Sequence, residues 1–455
     1  MSKDKQTDFK KIFKQSKDNE RFEYFINWYK KPLFKDELTD FLYFYNGKKW
    51  ELLKDNDALS LVIKFFDEMN VNYNVSNAKT LLELIVLKMP KLDKPNLEFI
   101  PFSNGVINRK TGEFLPHSKH YFLRSFIDIE YTLENKPMPN FERWINWASK
   151  NDHEKKCRII AAFYMILTNS YKWQLFLEIT GEGGSGKSIF NEIAMMLVGE
   201  ENSTSINLKD LEKISSRTKL LDKTLIFAPA QGKLVTDGAI LKALTGGDVM
   251  SFEPKYKDPF DARIQSIFLM TNNEPIVFTE HNGGISRRRV LFHFADKVPD
   301  NMVDDNLARK IKQEMPSIIN LLINTFKDDP LKAKKLLEAQ RDSKEAIGIK
   351  METDHIMHFA SFFETREKTG GLRPGKIQDA LAWHKGLFSL YGEYCKIAEI
   401  KYQLNKTTFL KSFIRALKDH KNLYPYKESI NDGYKLTNVY LKNDSIEELK
   451  KEWEN

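Results

Sequence analysis

The run Gly181-Glu182-Gly183-Gly184-Ser185-Gly186-Lys187-Ser188 fits the pattern G-x-x-x-x-G-K-[ST] in full. Each residue type there has a task. Glycines let backbone N–H groups curl around phosphate oxygens without Cβ clashes. Lys187 brings a mobile point charge to the β and γ oxygens, and Ser188 offers a hydroxyl to Mg²⁺. An apolar run at 175–179 precedes the glycines, and residues 189–197 read as the following helix. That helix start adds the positive end of its dipole. The spacing predicts a site for ATP with Mg²⁺. A glycine-rich turn without a ligand is the bland alternative, and the full motif between strand and helix disfavours it.

A phosphate loop names the ligand and not the work done with it. Residues 224–228 predict a strand ending beside the metal. A carboxylate is expected at its tip, to hold the metal and orient water. The tip reads Pro229-Ala230-Gln231, and Ala230 supplies none. Residues 237–244 predict a helix with Asp237 as N-cap. Residues 249–263 predict a hairpin whose centre sets Lys255 and Lys257 around Tyr256: charge for phosphate, a ring for a base or sugar. An exposed turn is the alternative there. Residues 265–270 predict another strand, with Asn272 beyond its tip as an amide able to sense a γ-phosphate. Arg287 and Arg288 precede a strand at 290–294, and an arginine there can reach a neighbouring subunit's γ-phosphate. Standing alone, both would be ordinary polar turns.

Further along, residues 406–418 predict an amphipathic helix. Phe409, Phe413 and Leu417 form its apolar stripe. Lys411, Arg415 and Lys418 form a basic stripe, and Lys406 opens the helix. Residues 422–442 predict a hairpin turning at Asn431-Asp432-Gly433. A basic helix followed by a hairpin is the order of a winged helix, which predicts duplex or origin DNA binding. A solvated helix on a lid is the alternative.

These residues need elements to position them. The chain has 455 residues, enough for roughly two to four domains. The reading is α/β: a P-loop core with an N-terminal α+β domain and a C-terminal winged-helix-like domain. Residues 1–20 predict a basic flexible tail. Residues 21–140 predict the α+β domain, with a type I′ turn at Asn46-Gly47 and further turns at Asn104-Gly105 and Thr111-Gly112. Pro137-Met138-Pro139 predicts a linker. Residues 141–350 predict the core, with a largely parallel sheet and flanking helices. Residues 351–455 predict the last domain.

Net charge is +8 and the pI about 9.0, which suits a polyanion partner, although a lysine-rich proteome would give the same surplus. Cys157 and Cys395 have no metal-like spacing and read as reduced thiols in helices. The histidines show no metal pattern. No apolar stretch reaches the roughly 18 residues of a membrane span, and the first residues have no apolar signal-peptide core. A soluble cytoplasmic protein is expected.

The ordered set resembles the superfamily 3 helicases, specifically the phage and plasmid type related to poxvirus and satellite-phage primase-helicases. By composition and size it is also similar to replication initiators of staphylococcal pathogenicity islands or chromosome cassettes. The matching stretches are 181–188, 225–230, 241–259, 271–275 and 285–294, and residues 104–117 look like the domain preceding such motors. The resemblance implies an AAA+ ring, a homo-oligomer of six with ATP between subunits. It implies Lys187 and Ser188 on phosphate and Mg²⁺, Asn272 as sensor, and Arg287 or Arg288 as the arginine given in trans. Lys255 and Lys257 would sit on a hairpin gripping single-stranded DNA, with 3′ to 5′ movement. The expected function is an ATP-dependent DNA helicase and replication initiator. Clustered carboxylates and zinc patterns are missing from the N-terminal sequence, so priming is expected to need a separate chain. Ala230 departs from the pattern, since such proteins carry a glutamate at or near that position. An introduced Glu→Ala change that traps ATP, or a natural weakly hydrolysing variant, would explain it. The alternatives for function are a P-loop ATPase that does not unwind, or an origin-binding scaffold.

Overall fold

The computed structural model describes residues 13, 15–37, 39–92, 95–229, 235–253, 259–278, 283–379, 381–400, 403–443 and 445–454. The N-terminal part holds helix α1 (Asp18–Tyr29) and an antiparallel sheet of β1 (Leu33–Lys35), β2 (Leu42–Tyr45) and β3 (Trp50–Leu53). Helices α2 (Asp55–Glu68) and α3 (Val75–Lys88) follow, then a second antiparallel sheet of β4 (Phe99–Phe102), β5 (Gly105–Asn108) and β6 (Phe114–Leu115). Helix α2 buries Ala58, Val62, Phe65 and Phe66, the spacing of one helical face. Asn74 caps α3 by accepting the Asn77 N–H. Phe13 is buried in this cluster and α1 starts at Asp18, so packing begins inside the stretch expected to be a tail. Residues 1–12 of that stretch lie outside the described residues.

Two turns differ from expectation. Between β2 and β3 only Gly47 has positive φ (101°), and the Asn46 N–H donates to the Lys49 carbonyl at 3.0 Å. The turn is therefore centred on Gly47-Lys48 with glycine first, a type II′ arrangement, and not on Asn46-Gly47. Asn46 instead accepts the Lys48 and Lys49 N–H groups on its side chain. Gly105 is a strand residue opposite Phe102, and a β-carbon there would lie 2.5 Å from the Phe114 ring.

The core opens with α4 (Pro139–Ala148), whose proline stands in its first turn, and α5 (His153–Leu167). Then come β7 (Phe176–Gly181), α6 (Lys187–Val198), β8 (Ser203–Ser205), α7 (Ile214–Arg217), β9 (Leu225–Ala228), β10 (Val235–Thr236) and α8 (Ala239–Gly246). The hairpin strands β11 (Met250–Phe252) and β12 (Phe260–Ala262) follow, then β13 (Ile267–Thr271), β14 (Val277–Phe278) and β15 (Arg289–Phe294). Helices α9 (Leu307–Phe326), α10 (Pro330–Arg341) and α11 (Lys344–Met351) complete it. The main sheet has the order β15-β7-β13-β9-β8 and every pairing in it is parallel. Asp237 is not the N-cap of α8: Gly238 holds that position, and the Asp237 carboxylate accepts the Ala239 N–H at 2.9 Å.

Alternation along the strands splits the sheet's packing between two faces. Leu177, Ile179, Leu269, Val290 and Phe292 pack with α5, α6 and α9. Phe176, Ile226, Phe268 and Met270 pack with α8 and the hairpin. The buried Glu314 of α9 accepts the N–H groups of Asn140 and Phe141, satisfying donors that α4 cannot satisfy itself. That carboxylate fixes α4, whose Trp144 reaches the loop between β7 and α6.

The C-terminal part has its own aromatic cluster. Its order is α12 (His355–Ser361), β16 (Phe363–Thr365), α13 (Leu387–Ile397), α14 (Lys406–Asp419), β17 (Glu428–Asn431), β18 (Tyr434–Thr437), β19 (Val439–Leu441) and α15 (Ile446–Trp453). Helix α14 buries Phe409, Phe413 and Leu417, the stripe read from sequence. Strands β17 and β18 turn through Asp432 (φ 50°) and Gly433 (φ 77°), and β19 returns to pair antiparallel with β16. Among the described residues, no helix is long and apolar enough to cross a membrane. Cys157 and Cys395 are free thiols on α5 and α13.

Candidate functional site

Strand β7 lies inside the sheet and ends in the loop Gly181–Ser188, which opens helix α6. Gly181 has φ 140°, and a β-carbon there would come 2.0 Å from the Phe294 carbonyl oxygen, so no other residue fits. Gly184 (φ 79°) and Gly186 (φ 96°) are also left-handed. The Trp144 indole of α4 donates to the Gly186 carbonyl at 3.2 Å and holds the loop's exit. Glu182, Gly183, Gly184 and Ser188 are exposed, while Ser185 and Lys187 are buried.

Lys187 Nζ donates to the carbonyls of Gly181 and Glu182, each at 2.6 Å. Burial lowers its pKa, and the Glu182 carboxylate works against that. The buried Ser185 hydroxyl has no hydrogen-bond partner among the described residues. An ammonium folded onto its own loop and an orphaned hydroxyl beneath an exposed glycine arc fit a phosphate chain, which would supply the acceptors. For Mg²⁺ the side-chain set is thinner. Ser188 is in place at the first turn of α6, and no group of three His, Cys, Asp or Glu suited to a metal occurs among the described residues. Ala230 lies outside the described residues and by its identity brings no carboxylate.

The neighbouring strand end is stitched to this loop. Asn272 is buried just past β13; its N–H donates to the Ile179 carbonyl at 3.0 Å, and the Gly181 N–H donates to the Asn273 carbonyl at 3.2 Å. The Thr271 hydroxyl donates to the Asn191 side chain of α6 at 2.8 Å.

A residue not singled out from sequence holds the site together. Glu178, wholly buried in β7, pairs with Arg289 at 2.6 Å and accepts the Ile276 N–H at 3.0 Å. Arg289 also donates to the Ile276 carbonyl at 3.1 Å. One carboxylate thus ties the phosphate-loop strand, the loop after Asn272 and the arginine segment. An acid inside an apolar strand run was the available signal, because a buried charge requires a partner.

Of the two arginines considered for action in trans, Arg288 is buried and donates to the Gly284 carbonyl at 2.7 Å, whereas Arg287 is exposed. The Arg287 carbonyl accepts from Arg341 of α10 at 2.9 Å. The expected hairpin exists as β11 and β12, with Phe252 stacked on Phe260 at the end of the strands nearest the tip. Its tip residues Lys255, Tyr256 and Lys257 lie outside the described residues.

On α14, Lys406, Lys411 and Lys418 are exposed. Arg415 departs from the expected open basic stripe. It lies over Gly283 of the core, its Nε 3.2 Å from where a β-carbon on that glycine would sit, and pairs with Asp419 at 3.6 Å. It lines a small cleft with Ser286, Arg289, Lys350 and Thr353. The sequence periodicity gives the polar face of the helix, but not that the core covers part of it.

The architecture is α/β, with a five-stranded parallel sheet whose strand β7 ends in the Gly181–Ser188 loop. Residues 22–150 match the family described as D5 N terminal like. Residues 179–289 match a family of unknown function, DUF5906. Among solved structures, the chain is similar to the A-form apo structure of the NrS-1 C terminal region, with a TM-score of 0.53 and 11% identity over 92% of this chain and 98% of that one. A further apo structure of that region gives 0.52 and 11% over the same shares. At such identity the likeness speaks for the fold.

Proposed function

We propose that this chain is an ATP-driven DNA motor and replication initiator of the AAA+ superfamily 3 type, working as a ring, as a hexamer, on single-stranded DNA. The observation that carries the reading is the arrangement at the sheet's edge. The Gly181–Ser188 loop and the Asn272 loop are hydrogen-bonded side by side, while Arg287 stands exposed on the segment entering β15. A subunit of this kind would bring its own phosphate cradle and offer its arginine to a neighbour. The D5 N-terminal-like match supports it, because it spans residues 104–117, the stretch that resembles the domain preceding such motors.

In this reading Lys187 leaves the carbonyls of Gly181 and Glu182 for the β and γ oxygens. Ser188 is the residue that would hold Mg²⁺, which neutralises charge on the phosphates when bound. The Asn272 side chain positions the γ-phosphate or the attacking water. Arg287 stabilises charge developing in the neighbour's site, an effect of roughly 10³ to 10⁵ in rate for such arginines. Lys255, Tyr256 and Lys257 follow the DNA strand. The helix–strand–helix–helix–hairpin order of the last part supports a winged helix that presents α14 to duplex DNA. Priming would come from a separate chain.

Ala230 favours a second reading for the chain as it stands: an ATP-binding, origin-binding scaffold with impaired hydrolysis. Strand displacement on a forked duplex, run beside ATP and duplex-DNA binding, separates the two. ATP-dependent displacement that Lys187→Ala abolishes supports the motor. Tight binding of both ligands without displacement, even after Ala230→Glu, refutes it.

A further inference from the structure

The segment leaving β15 crosses the phosphate loop. The Phe294 carbonyl closes against Gly181, and four residues later the Val298 N–H donates to the Gly184 carbonyl at 3.0 Å. Lys297 sits between these anchors. Its stem lies on Gly184, with Cγ, Cε and Cδ at 3.3, 3.6 and 4.0 Å from where a β-carbon on that glycine would be. Ion pairs flank it on either side: Asp296 pairs with Lys150 at 2.9 Å, and Asp304 pairs with both Arg143 and Lys310 at 2.8 Å. The Lys297 ammonium has an exposed pair with Asp300 at 3.5 Å, in which the aspartate is 92% exposed. Such a pair is worth little and is easily exchanged.

We propose that Lys297 is a second cation of the phosphate cradle, supplied in cis, which binds the β- or γ-phosphate of a nucleoside di- or triphosphate. The inference rests on the phosphate-loop reading of residues 181–188. A triphosphate carries more negative charge than Lys187 alone can answer. The backbone arc around Gly184 is the part of the loop that wraps phosphate oxygens. A lysine whose stem is already packed on that arc needs only to swing its terminal ammonium from Asp300 to the ligand. Its position after the last sheet strand couples the strap to the occupied site, since the Val298 N–H and the Gly184 carbonyl move together.

The test is equilibrium binding of fluorescent ATP, ADP and AMP to the full chain with Mg²⁺. Lys297→Met keeps the stem on Gly184 and removes the charge, whereas Lys297→Arg keeps the charge. The expected result is about tenfold weaker ATP and ADP binding for Lys297→Met, equivalent to about 1.4 kcal/mol. AMP binding should be unchanged, and Lys297→Arg should stay within about twofold of the parent. If the parent binds ATP, Lys187→Ala does not, and Lys297→Met binds as the parent does, the role of Lys297 is overturned while the phosphate-loop reading stands. An arginine variant as weak as the methionine variant also overturns it. A parent that binds no nucleotide overturns both.

Discussion

Replacing Glu178 by leucine removes the carboxylate that answers Arg289. Both side chains are out of water: Glu178 is 0% exposed and Arg289 6%. The change leaves a buried guanidinium without its anion and the Ile276 N–H without its acceptor. Breaking a buried pair from one side costs about 3–5 kcal/mol. Against a domain stability of about 5–15 kcal/mol, that is a large fraction. The expected outcome is early loss of hydrogen-exchange protection in β7 and β15, with a lower urea midpoint. The double variant Glu178→Leu with Arg289→Leu should recover most of the loss, because no orphan charge remains. The bond network adds a functional consequence. The Asn272 loop and the arginine segment should loosen together, so nucleotide affinity falls in the single variant and returns in part in the double. A single variant as stable as the parent, or a double variant no better than the single, refutes the reasoning.

Other outcomes follow from the same geometry. Burial, with Arg289 close by, pulls Lys350 down to about 8 from its ordinary 10.5. The unfolded chain holds that proton more tightly, so the folded state carries a cost that is fully present below about pH 8 and fades as pH rises towards 10.5. Stability should climb across that window, on the order of 3 kcal/mol at 1.36 kcal/mol per pH unit. Lys350→Met should flatten the climb by gaining at neutral pH, and an unchanged profile by urea unfolding would contradict this. Lys411→Gln and Lys418→Gln should each weaken duplex binding and lower the log–log salt slope by about 1, as phosphate contacts do. Unchanged DNA affinity in both would remove α14 from the duplex interface. Burial pushes the Cys395 thiol up to about 11, so iodoacetamide at pH 8 should modify the half-exposed Cys157 first. The reverse order would show that the C-terminal aromatic cluster does not exclude solvent as described.

How much of this was legible in the sequence depends on where each residue's partner lies. The Gly181–Ser188 loop was readable as a turn between strand and helix because the left-handed backbone at Gly181, Gly184 and Gly186 follows from residue type. The strands β7, β9, β13 and β15 were readable as apolar runs, and the turn at Asp432-Gly433 followed from residue type. Strand β8 (Ser203–Ser205) was not, since a polar edge strand is set by its pairing with β9 and not by its own side chains. Glu178 was hidden for the same kind of reason, its partner being 111 residues away. Asn46 shows a local competition: its side chain took the two following N–H groups, which moved the turn on by one residue. Arg415 sat on the correct polar face, but a helix wheel does not say which neighbour covers it.

In the proposed function the loop at 181–188 binds ATP and drives work on DNA, with hydrolysis limited by the side chain at position 230. DNA-stimulated ATPase activity of this chain, measured beside Ala230→Glu, tests it most directly. The expected result is hydrolysis in the glutamate form, little or none in the chain with Ala230, and ATP binding by both. If neither form hydrolyses ATP while both bind ATP and DNA, the motor claim is contradicted and the scaffold reading replaces it.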